Sequence, residues 1–186
     1  MALDSRANLT SVSVSLPFGL GAARFEADDT EQNAAWELYV ELVTRIAVQS
    51  LAADQGTVRE ALSSLYQLFG TTREILRKYG PGVGASDNSV GGIAINVLNR
   101  GLRPFMSEWH PRLQSWEAKR PDQTSPQEHE KTWEHEAEVR QKLDDLRHEL
   151  SIYAEALATI SKTKRWVFGE WPLHFLTAQR FGLVRR

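Results

Sequence analysis

Five histidines and no cysteine set the range of chemistry open to this 186-residue chain. His129 and His135 lie in "EHEKTWEHE", six residues apart. On a helix, two imidazoles meet one metal when they are four apart, so this pair falls on different sides, and no HExxH motif occurs. A di-iron bundle needs Glu-x-x-His on two helices; the nearest approach is Asp145-Leu-Arg-His148, present once. The lack of cysteine removes disulfides, cysteine-ligated zinc, iron–sulfur clusters and a thiol nucleophile. No cofactor and no metal is expected.

Nucleotide and nucleophile motifs fare no better. "GPGVG" at 80–84 has the glycines of a phosphate cradle but lacks the Gly-Lys-Ser/Thr that must follow, and a helical pattern precedes it in place of a strand. "GLGAA" at 19–23 follows a strand pattern, yet the third glycine and the repeating βαβ units of a dinucleotide fold are missing. Serines are plentiful, but none stands in a nucleophile elbow beside an oriented base. The chain therefore reads as a non-enzyme.

What remains is aromatic and basic. "GLRPFMSEWHPRL", residues 101–113, carries two prolines seven apart within an amphipathic pattern. At 100° per residue Trp109 shares a face with Phe105, Leu113 and Trp116, which predicts a core stripe, while Arg103, His110 and Arg112 point away toward a partner. Trp and Arg are favoured interface anchors, so the candidate partner-binding residues are Arg103, His110, Arg112, Trp116, His129, Trp133 and Trp166. Stacking plus phosphate contact could also use such residues, as could Lys162, Lys164 and Arg165 beside Trp166. The net charge of −2 makes a nucleic-acid partner unlikely and a protein partner or self-association the expectation.

The elements that would position these side chains are mostly helical. Val12, Val14 and Leu16 alternate with serines, and "PFGLG" offers a turn, predicting a short hairpin within residues 1–27 that must pack on the helices or pair with another chain, the second option leaving an edge strand open to a partner. A first helix begins near Asp29 or Thr30 and runs to about Ala53, with Ile46, Ala47 and Leu51 continuing its stripe; "DQG" breaks it. Thr57 with Glu60 forms a capping box for a second, antiparallel helix through Tyr79. Ser89 caps a third, and a proline in mid-helix costs about 3 kcal/mol, so Gly101 and Pro104 predict a kink or break there.

Residues 28–118 thus form a helical bundle, and 119–125, within "KRPDQTSPQ", a linker. Ser125, Pro126 and Glu128 start a long helix over 126–162, whose polar portion, 128–142, projects, pairs with another chain or lies along the edge. This helix carries nine acidic and five basic side chains, whereas 163–186 carries five basic and one acidic, so the aromatic tail complements it and packs on the bundle. A short helix begins near Trp171.

The predicted fold is all-α: an antiparallel bundle of about four main helices, one of them long and in the C-terminal half, with a short N-terminal β-hairpin. No apolar run reaches the ~18–20 residues that span a bilayer, and the N-terminus lacks the basic region of a signal peptide, so the expected location is cytoplasmic. The expected function is a non-catalytic protein–protein interaction module, an oligomer or a subunit of an intracellular complex. Two alternatives stand beside it: an accessory or regulatory subunit of a prokaryotic defence or toxin–antitoxin system, and an enzyme with a cryptic pocket between helices.

Overall fold

The computed structural model describes residues 11–45 and 56–163. The chain is an antiparallel helical bundle with a two-stranded hairpin at its N-terminal side. Strands β1 (Val12–Leu16) and β2 (Gly21–Phe25) pair antiparallel, with Val12 opposite Phe25 and Leu16 opposite Gly21. Val14, Ala23 and Phe25 turn inward. A lone hairpin is marginal in water, and this one packs β1 against the last helix instead of leaving itself free.

Helix α1 (Asp29–Val43) is capped by Asp28, whose side chain accepts from the Glu31 amide. It closes at Val43, about ten residues before the end its apolar stripe predicts; Ile46, Ala47 and Leu51 lie outside the described residues. Helix α2 (Val58–Tyr79) opens on the expected Thr57/Glu60 capping box. Its antiparallel run against α1 is fixed at both ends: Glu37 bonds Lys78 and Tyr79, and Arg45 reaches Gln67 and Thr71.

A 3₁₀ turn (Pro81–Gly84) leads to α3 (Val90–Asn96), capped by Ser89 as expected. The helix does not break at the prolines. It passes through a π-turn (Val97–Leu102) into α4 (Arg103–Glu117), so helical backbone is continuous from Val90 to Glu117. The looser π register suits Pro104, which has no amide to donate to the preceding turn. It also brings Gly101 against the hairpin tip: a Cβ there would meet the Phe18 ring at 2.5 Å. Phe18 itself takes a positive φ of 56° and donates its amide to Glu149 Oε2 at 2.5 Å. The hairpin tip is thus held between the π-turn and the last helix.

The predicted helix over 126–162 is two helices. The Ser125 capping box opens α5 (Pro126–Lys131), a turn follows at 132–135, and α6 (Glu136–Ile160) then runs to the end of the described chain. Thr132 Oγ1 takes the His129 carbonyl at 2.8 Å, competing with the helix ladder, and Trp133 turns into the core at 5% exposure. Residues 128–142 therefore pack; His129, Glu130 and Val139 are buried with Trp133. Helix α6 lies against α1 and β1, and Leu143, Leu146, Leu150 and Leu157 complete the core. The C-terminal segment, with Lys164, Arg165, Trp166 and Trp171, lies outside the described residues.

Candidate functional site

A groove of about 400 Å³ lies between α2 and α4. Tyr66, Phe69 and Arg73 of α2 form one wall. They sit at i, i+3 and i+7, one helical face. The facing wall is Arg103, Met106, Ser107, His110 and Pro111 of α4. Arg59 and Glu117 pair at one end, whereas Tyr66 meets His110 and Phe69 meets Arg103 farther along, so the two helices run antiparallel.

Each wall is fixed from behind. The start of α2 is held by Glu130 of α5, a buried carboxylate that accepts from the Val58 amide at 2.7 Å and the Arg59 amide at 3.4 Å, beside Arg140 at 3.6 Å. Burial pushes the Glu130 carboxyl above its ordinary range, against the pull of those amides and of Arg140. Helix α4 is anchored by Trp109, 1% exposed, whose ring meets Trp133 edge-on at 6.2 Å and His135 at 6.1 Å. About two turns further, Trp116 stacks on His129 with ring centroids 4.7 Å apart, and its indole N–H donates to the His129 carbonyl at 3.1 Å.

The sequence-derived candidates therefore divide. Arg103 and His110 line the groove. Arg112 is exposed, pairs with Glu108 and lies over the Trp109 ring at 4.9 Å, on the other side of α4 from the groove lining. His129 and Trp133, expected at a surface, are buried, because the turn after α5 folds both rings onto α4. Trp116 is partly buried in the same stack. Trp166 lies outside the described residues. Tyr66, Phe69 and Arg73 were not singled out as a site from sequence. Their i, i+3, i+7 spacing was the available signal, but it reads equally as core until α4 is placed beside it.

The groove is basic. At one end Arg59 is neutralised by Glu117, with Nε to Oε1 at 2.8 Å, and its Nη1 lies 3.3 Å from His110 Nε2. A guanidinium can only donate, so that ring nitrogen is the acceptor. At the other end Arg103 bonds Asn99 Oδ1 at 2.9 Å and stands over Phe69 at 5.8 Å, and its charge meets no carboxylate among the described residues. Arg73 has no hydrogen bond or ion pair among the described residues. The groove floor carries Phe69 and Met106, and Tyr66 stands 66% exposed at the rim. Pro111 adds an acceptor: it cannot donate to the Ser107 carbonyl one turn back, and both residues face the groove.

A second groove, of about 350 Å³, lies on the other flank of α2, against α1. It combines Trp36, Val40 and Ile75 with Glu37, Glu41, Glu74 and Lys78. Its charges are mostly met within the chain. Hydrogen bonds from Lys78 and then Tyr79 hold the Glu37 carboxyl below its usual range, and Glu41 pairs with Arg45 at 2.6 Å.

Among the described residues no group of three His, Asp or Glu side chains is arranged to hold a metal ion, and no helix is long and apolar enough to cross a membrane. Compared with protein-family models, curated proteins and solved structures, the chain matches none.

Proposed function

We propose that the protein is a non-catalytic interaction module that docks an acidic, partly apolar segment of a partner protein in the α2/α4 groove. One observation carries this reading: Arg73 and Arg103 flank an apolar floor of Phe69 and Met106 without a carboxylate between them. An interface core favours Tyr, Phe, Met and Arg, and all four types line this groove. An approaching carboxylate would complete the two guanidinium groups, and charge complementarity of this kind sets partner choice and on-rate more than raw affinity. The groove lining runs from Tyr66 to Arg73 along α2, roughly 10 Å at 1.5 Å per residue, which accommodates about two helical turns or a shorter extended segment.

The test uses two fluorescent peptides of equal length, both with leucines at helical spacing, one carrying glutamates and the other lysines. Anisotropy should show binding of the glutamate peptide, weakened by salt and by the double charge reversal Arg73→Glu with Arg103→Glu. Equal binding of both peptides, or of neither, would reject the acidic-partner reading.

A further inference from the structure

We infer that the interior of the bundle holds one ordered water, bound to the Tyr153 hydroxyl at the junction of α1, α2, the π-turn and α6. Tyr153 is 6% exposed, and its hydroxyl is a buried polar atom with no hydrogen-bond partner among the described residues. It lines a small, partly open cavity of about 20 Å³ with Leu38 and Leu42 of α1, Leu68 of α2, and Val97 and Leu102 of the π-turn. Thr72 of α2 and Glu41 of α1 add polar groups to the same lining.

Two other buried nitrogens lack a partner, Arg45 Nε and Arg140 Nη1. Both belong to guanidinium groups whose remaining nitrogens are bonded: Arg45 to Glu41, Gln67 and Thr71, and Arg140 to Glu136 and the Gly56 carbonyl. Their charge is answered. The Tyr153 side chain has a single polar atom, and it has no such alternative.

Size and chemistry together select the ligand. A cavity needs on the order of 10–15 Å³ of probe-occupied space to hold one water, and the water needs two to four polar partners. This space meets the first requirement and excludes any larger molecule. Wholly apolar cavities stay dry, but this one is bordered by a phenol, a threonine and a carboxylate. Burial raises the Tyr153 phenol above its ordinary range, so it stays protonated and donates. The water accepts that hydrogen bond, and Thr72 and Glu41 are the other polar residues of the lining. The looser turn of the π segment is one of the walls that keep the space open.

Water-¹⁷O magnetic relaxation dispersion on the full chain reads long-lived internal waters directly. Tyr153→Phe, which removes only the hydroxyl, should lower their number by about one relative to the unsubstituted chain. Identical dispersion from the two proteins would overturn the inference. The unsubstituted protein gives an independent reading: a cross-relaxation peak between water and the Tyr153 ring protons is expected, and its absence, with neighbouring core methyls resolved, would equally reject the bound water.

Discussion

The two grooves that flank α2 are alike in volume and opposite in electrostatic state. On the α1 side two of the three lining carboxylates are satisfied within the chain, Glu37 by Lys78 and Tyr79 and Glu41 by Arg45. These contacts tie α1 to α2, and the groove is a by-product of packing two helices. On the α4 side the pairing stops halfway: Arg59 has Glu117, but Arg73 and Arg103 have no carboxylate. A groove that closes its own charges offers little to a partner, because a newcomer must displace existing bonds. A groove with unanswered guanidinium groups over apolar surface gains both burial and ion pairing when filled.

That contrast depends on α4 standing where it does, and the largest expected effect comes from removing what holds it. Trp109→Ala should cost about 3–5 kcal/mol in chemical denaturation, since a fully buried indole packed on Trp133 and His135 leaves a cavity. A loss under about 1 kcal/mol would mean the aromatic stack does not anchor the basic groove.

The start of α2, common to both grooves, comes next. Glu130→Ala leaves the Val58 and Arg59 amides and the Arg140 guanidinium without their buried acceptor, and should cost about 3 kcal/mol. Its pH signature has a definite sign. The Glu130 carboxyl lies above its unfolded value near 4.5, so the native state holds the extra proton between the two values. The contribution is present below the unfolded value and is lost as pH rises through the folded one. Glu130→Gln should remove that fall in stability just above pH 4.5, and an unchanged pH profile would count against the burial of this carboxyl.

Gly101→Ala places a methyl against the Phe18 ring and should destabilise by about 1–3 kcal/mol through overpacking. The double variant Gly101→Ala with Phe18→Ala should recover part of that loss, which separates the clash from any effect on the π-turn itself. The smallest effect is a gain. Gly70 lies in the middle of α2, between the grooves, and an added Cβ would meet only the Arg73 Nη2 at 3.9 Å. Gly70→Ala should therefore stabilise by about 0.5–1 kcal/mol through helix propensity. A loss in the free protein would show that α2 is crowded on that side.

Local chemistry was legible in the sequence and long-range pairing was not. The caps at Thr57, Ser89 and Ser125 rest on residues within four positions of one another and the hairpin on partners no more than 13 apart, and all form as their types dictate. The turn at 132–135 was hidden because Trp133 leaves the helical path to meet Trp109, a partner 24 positions away in the chain. The groove was half legible for the same reason. Arg103 and His110 stood out beside the prolines, but Arg73 becomes a site residue only when α2 and α4 lie side by side. Tyr66 and Phe69 share one face of α2, and the structure leaves Tyr66 largely exposed.

The most direct measurement places a photo-crosslinking amino acid in each groove in turn, at Ser107 on the α4 side and at Trp36 on the α1 side, in cells that make the protein. The Ser107 probe should give a discrete adduct whose linked peptide is acidic, and the adduct should disappear when Arg73→Glu and Arg103→Glu are introduced; the Trp36 probe should give none. An adduct from Trp36 in place of Ser107, or one from Ser107 that survives the charge reversal, would contradict the assignment of the unanswered arginines as the docking surface.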